Sequence, residues 1–186
     1  MKKLTPTQER ARQKKLKKII PALQSDHESD VQSALDQLKE HGDASVVPYL
    51  IDLYLHHESP EVVSEVKKIF KGLNDEKAVE PILNAVKQDI DQEAKLFLLS
   101  SIWEAGLNPK NHLVEITEIL LREPLEVMVE CMTIADTVSE LDDDDVIRKS
   151  LEKISEHVKN SGSEIDDDRM QMMKGYGGVL TEKLVG

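Results

Sequence analysis

Apolar residues along the chain recur at helical spacing. Val31, Ala34, Leu35 and Leu38 lie at i, i+3, i+4 and i+7, and Val62, Val66, Ile69, Phe70 and Leu73 continue the theme. Ala94, Leu98, Ile102 and Ala105 repeat it, and Leu16, Ile19, Ile20 and Leu23 form a similar stripe near the start. Gly42, Asn74 and Gly106 stand just past these runs, where a left-handed residue closes a helix. The pattern predicts helix pairs at 17–24 with 28–41, 46–57 with 60–73, 77–89 with 91–105, 109–122 with 124–140, and 143–160 with 166–184.

The pairs resemble one another. Three share a Pro-centred opening: Ile19-Ile20-Pro21-Ala22-Leu23, Val46-Val47-Pro48-Tyr49-Leu50, and Ala78-Val79-Glu80-Pro81-Ile82-Leu83. Pro suits an early helical position because the N–H it lacks would find no partner there. A turn with Ser or an acid then leads into the second helix, at Ser29-Asp30-Val31-Gln32, Ser59-Pro60-Glu61-Val62-Val63 and Asp91-Gln92-Glu93-Ala94-Lys95. Val31, Val62, Ala94 and Val127 recur at intervals of 31, 32 and 33 residues, which is the signature of a repeated unit.

With an early Pro in the first helix and Ser59-Pro60-Glu61-Val62 entering the second, the chain resembles HEAT-like repeats of the short type over residues 19–140, and more weakly in the last pair. The family commonly carries Arg after that Val, where this chain has Gln32, Val63, Lys95 and Met128, so the stacking ladder those arginines build is missing. Tetratricopeptide and ankyrin signatures are absent. The resemblance implies an all-α fold, a right-handed alpha-alpha superhelix of about five helix pairs. It would form one domain over 1–186, with a basic N-terminal capping helix at 1–20 and a C-terminal capping segment at 161–186.

Composition agrees with helices: Leu, Ile, Val, Ala, Glu, Lys and Asp dominate, and aromatics are 3%. The net charge of −12 is unevenly spread. Residues 1–20 hold eight basic side chains against Glu9 alone, a balance of +7, which leaves −19 for the rest. An acidic body argues against the broad basic groove that nucleic-acid binding needs. No stretch is apolar enough to span a membrane, and the basic N-terminus lacks the apolar run and cleavage site of a secretory signal. The lone cysteine, Cys131, excludes an internal disulfide and suits a reducing compartment, so a cytoplasmic protein is expected.

Candidate chemistry is sparse. His27, His41, His56, His57, His112 and His157 never form H-E-x-x-H or E-x-x-H. Asp142 to Asp145 and Asp166 to Asp168 lack the alternating ligands, Gly and closing Glu of a calcium loop, and read as helix caps. Lys174-Gly175-Tyr176-Gly177-Gly178 lacks the strand and Gly-Lys-Ser/Thr ending of a phosphate loop and reads as a break in the last helix. Cys131, aligned with Leu98 and Val66, reads as a buried thiol. Neither a catalytic residue, a metal site nor a cofactor is expected.

One gradient stands out. The positions two, five and nine after the repeated apolar residue fall on the other face of each second helix, which lines the concave side of a HEAT stack. They are Ser33, Asp36 and Glu40, then Ser64, Lys67 and Lys71, then Leu96, Leu99 and Trp103, then Val129, Met132 and Asp136. The face changes from polar to apolar. Leu96, Leu99, Trp103, Val129 and Met132, with Lys67 and Lys71, are therefore the expected partner-binding residues. Alternatively the C-terminal segment, with Met170, Met172, Met173, Tyr176, Val179 and Leu180, folds across them. The functional expectation is a non-catalytic scaffold that binds a protein or peptide. The alternative is a HEAT-like enzyme or nucleic-acid module, such as a bilin lyase or an alkylpurine glycosylase.

Overall fold

The computed structural model describes residues 5–41, 43–139, 144–161 and 165–185. Among them there are ten α-helices, three short 3-10 turns and no strand. They gather into two compact units, residues 1–78 and 79–186.

The first unit holds α1 (Pro6–Leu23), α2 (Glu28–His41), α3 (Val47–His56) and α4 (Pro60–Lys71). Helix α1 packs on α2 and α3 on α4, while α1 also meets α3 and α2 meets α4. The result is two layers, odd helices in one and even helices in the other. Leu16, Ile19, Leu23, Val31, Leu35, Leu50, Val62, Val66 and Phe70 fill the space between them, each at most 2% exposed. That burial is the main driving force for helices too short to persist alone.

Helix α1 begins eleven residues before the predicted start at 17. Thr5 and Gln8 form a reciprocal capping box, and Pro6 occupies an early position where its missing N–H costs nothing. Pro21 consequently lies in the last turn of α1 and opens no helix. Pro48 and Pro60 do stand at the starts of α3 and α4, as predicted. Gly42 lies outside the described residues. The predicted closure at Asn74 comes earlier: α4 ends at Lys71, and Gly72 caps it at φ −96° without a left-handed turn.

The second unit holds α5 (Val79–Val86), α6 (Gln92–Glu104), α7 (Leu113–Arg122), α8 (Leu125–Thr137), α9 (Asp145–Ser161) and α10 (Asp167–Val185). The pairing rule repeats, with α5 on α6, α7 on α8 and α9 on α10. Helices α5, α7 and α9 adjoin in one layer; α6, α8 and α10 adjoin in the other. Helix α6 starts where the Asp91 carboxylate accepts the Ala94 N–H at 2.8 Å. It ends at Gly106, whose φ of +68° lets the N–H of Leu107 reach back to the Ile102 carbonyl at 3.0 Å.

The predicted break at Gly175, Gly177 and Gly178 does not occur; α10 runs through it. Packing overrides the low helix propensity of glycine here. Met173, Tyr176 and Leu180 share one face and are at most 1% exposed. The Thr117 hydroxyl donates to the Leu113 carbonyl at 2.7 Å, so the Tyr176 hydroxyl, 3.0 Å away, donates to Thr117. Burial pushes the Tyr176 phenol far above its ordinary range. At the two ends of α10, side chains cap neighbouring helices. Arg169 donates to the carbonyls of Glu123 (2.6 Å) and Leu121 (3.1 Å) at the end of α7. Lys183 donates to those of Asp136 (3.0 Å) and Val138 (2.8 Å) at the end of α8. Both place positive charge where a helix leaves carbonyls unpaired.

Candidate interaction face

Helices α6 and α8 pack side by side in the second unit, and each turns a different set of residues to either side. Inward go Ala94, Leu98 and Ile102 from α6, and Val127, Cys131 and Ile134 from α8, all at most 2% exposed. The Cys131 thiol is raised well above its ordinary pKa, first by burial and then by the charges of Glu123 and Glu130. It is a core residue, not a nucleophile.

The opposite side carries Leu96, Leu99 and Trp103 on α6 and Val129 and Met132 on α8. The structure brings these five onto two adjoining helices but grades their exposure. Leu99 is fully buried. Leu96, Trp103 and Met132 are half-buried. Val129, at 43%, is the large apolar side chain left exposed among the described residues. The Trp103 indole N–H donates to Glu130 Oε2 at 2.8 Å, which ties α6 to α8 and fixes the ring. Met132 lies against α10, where a Cβ built on Gly175 would come within 3.7 Å of its sulfur. Of the C-terminal residues expected to cover the face, Met173, Tyr176 and Leu180 turn into the core, and Met170, Met172 and Val179 are half-buried.

The charges on α6 and α8 have one sign. Glu93, Glu104, Glu126 and Asp136 are exposed and Glu130 is half-buried, against a single basic residue, Lys95. Lys95 is already paired with Glu123 at 2.7 Å, and its side chain is only 15% exposed. The exposed charges that α6 and α8 themselves contribute beside the strip are therefore acidic, while α10 brings Lys183 to the end of α8. Local helix geometry explains the pattern: Glu93 and Glu126 sit in first turns, where a carboxylate is favoured by the free N–H groups.

No family model, curated protein or solved structure matches this chain. The reading of the face therefore rests on its own geometry.

Lys67 and Lys71 belong to α4 of the first unit. The Lys67 ammonium sits 5.4 Å from the centroid of the Tyr54 ring, a cation–π distance, and Lys71 is exposed in the last turn of α4. Among the remaining candidates, His56 pairs with Asp52 (3.0 Å) and His112 with Glu115 (3.5 Å). Among the described residues no His, Cys, Asp and Glu side chains cluster as a metal site. Asp166 caps α10, accepting the Arg169 N–H at 2.8 Å. Asp142 and Asp143 lie outside the described residues. A groove between α7 and α9 is lined by Glu118, Arg122, Lys153, Glu156 and His157. Its charges largely answer one another, with Glu118 and Lys153 2.7 Å apart and the Glu118 carboxyl held below its usual range by that bond.

Sequence reasoning missed Glu130, Arg169 and Lys183. Trp103 and Glu130 are 27 residues apart, and nothing local announces their contact. The acidic surplus of α6 and α8 was readable, because two helices with five acids and one lysine can be counted.

Proposed function

We propose that this chain is a non-catalytic interaction scaffold, a HEAT-like solenoid whose helix pairs stack as a right-handed superhelix. Within each unit, the sorting of odd and even helices into two layers supports that reading. Its partner is a protein or peptide, held on the side of α6 and α8 that carries Leu96, Trp103, Val129 and Met132. The observation that carries the proposal is that the adjoining helices α6 and α8 carry an exposed Val129 and a half-buried Trp103 whose ring is fixed by Glu130. A pre-oriented indole beside exposed apolar surface is the usual composition of an interface anchor, because burying it releases water without ordering a mobile side chain. Fold alone does not decide function. A HEAT-like enzyme or nucleic-acid module would require a basic, aromatic-lined groove, and the exposed acids of α6 and α8 give that alternative no support.

Val129→Glu tests the proposal, since it changes an exposed residue without removing core volume. Capture from lysate by wild type and variant should show a partner lost from the variant while the thermal melt stays within a few degrees. Identical capture by both, with unchanged melting, would place the binding surface elsewhere.

A further inference from the structure

We infer that the occupant of this face is a basic peptide segment with apolar anchors, a chemistry that deepens the scaffold reading and rests on it. The argument begins with charge. The first unit carries 13 basic and 13 acidic residues, so it is neutral, whereas the second carries 11 basic and 23 acidic residues and holds the whole net charge of −12. On α6 and α8 this surplus is local: Glu93, Glu126 and Asp136 are exposed beside the apolar strip, and the one basic residue of these two helices, Lys95, is paired with Glu123.

The indole adds a second constraint. Its single N–H is already donated to Glu130, so Trp103 offers a partner no hydrogen bond, only carbon surface and the electron-rich face of the ring. That surface suits the alkyl stems and cationic heads of Lys and Arg, with Glu126 and Asp136 placed on the same side of α8 as Val129 to meet the charge. An acidic peptide would meet like charge and a nucleic acid would meet it at every phosphate. A purely apolar occupant would strip water from the exposed carboxylates of Glu126 and Asp136 without offering them a cation. Basic and apolar together is the composition that leaves neither the strip nor these acids unmatched.

Three synthetic amphipathic peptides of one length, Lys/Leu, Gln/Leu and Glu/Leu, separate the possibilities. Labelled peptide anisotropy gives affinity, and emission from Trp103, the one tryptophan in the chain, reports occupancy of the face. The Lys/Leu peptide should bind at least tenfold more tightly than the Gln/Leu peptide, shift Trp103 emission, and weaken as salt is raised. Glu126→Lys with Asp136→Lys should lower its affinity at least tenfold. Glu80→Lys with Glu152→Lys, which reverses two exposed acids on α5 and α9 and gives the same net charge, should leave it within about twofold, since distant exposed charges are largely screened. Equal loss in both double variants would show non-specific attraction and overturn the inference. Equal or tighter binding of the Gln/Leu or Glu/Leu peptide, still abolished by Val129→Glu, would overturn the basic specificity while leaving the scaffold reading in place. If no peptide perturbs Trp103, and capture is unaffected by Val129→Glu, both fail.

Discussion

The second helices of the two units occupy equivalent places in their layers and treat their outer surfaces in opposite ways. In the first unit, α2 and α4 answer charge with charge: Lys39 bridges Asp36 and Glu65, each at 2.9 Å, and Glu65 is also bonded by Lys68. The Glu65 carboxyl is accordingly held below its usual range by those two lysines. In the second unit, the repeat position held by Asp36 and Lys67 is taken by Leu99 and Met132, and the one basic residue of α6 and α8, Lys95, is paired with Glu123. Two-layer packing is satisfied either way. Leu99 is buried within the unit and Met132 lies against α10, so Leu96, Trp103 and Val129 are the residues of this side that reach the surface outside those contacts, and they are the ones we propose for recognition.

Substitution at one repeat position gives the widest separation between the units. Asp36 and Leu99 are equivalent in the repeat, but Asp36 has a side chain 70% exposed and Leu99 is fully buried. Leu99→Ala should cost about 2–5 kcal/mol by denaturant unfolding, whereas Asp36→Ala should change stability by no more than ~0.5 kcal/mol. Leu96→Ala, at a half-buried position, should fall between them. A Leu99→Ala cost as small as that of Asp36→Ala would mean that the second face is as open as the first.

The next effect belongs to α10, which gives the second unit a fixed boundary. Arg169→Ala removes two charge-assisted bonds to the end of α7 and should cost about 1.5–3 kcal/mol, read as a lowered midpoint. Arg169→Lys should recover only part, because one ammonium cannot reproduce the guanidinium fork. Gly178→Ala acts in the opposite direction. A Cβ there meets nothing within 4 Å, and the residue is exposed within α10, so the variant should be stabilised by up to about 1 kcal/mol. Loss of stability instead would show that this side of α10 is covered in solution.

The smallest effect is a pH dependence on the α7–α9 side. Glu118 has its carboxyl held below its ordinary value, chiefly by its bond to Lys153. A carboxyl that is more acidic when folded stabilises the protein above its unfolded pKa, and the contribution fades as pH falls through the lower folded value. Glu118→Gln should therefore flatten the acid limb of the stability curve below about pH 4.5 and leave melting near neutrality little changed, as expected for a partly exposed pair.

Much of the architecture was legible in the sequence because 3.6-residue spacing and capping residues are local signals. The paired helices from 28 to 137 follow them closely, as do α9 and α10. The start of α1 was obscured because residues 6–15 are almost entirely polar, although Thr5 and Gln8 already spelled a capping box. The glycines of α10 misled for the opposite reason, since what holds that helix is Met173, Tyr176 and Leu180 in a core assembled from distant segments. At the candidate face, residue type was visible but exposure was not. Leu96 and Leu99 look alike in a helical repeat, and only their neighbours in space put one at the surface and the other inside.

Trp103 provides the most direct test of an open recognition face. Acrylamide quenching of its emission in the free protein should show an accessibility between that of free indole and that of a core residue, and addition of the Lys/Leu peptide should reduce it. Blue-shifted emission that resists quencher in the free protein and ignores the peptide would contradict the account, because the strip between Leu96 and Met132 would then be closed from within.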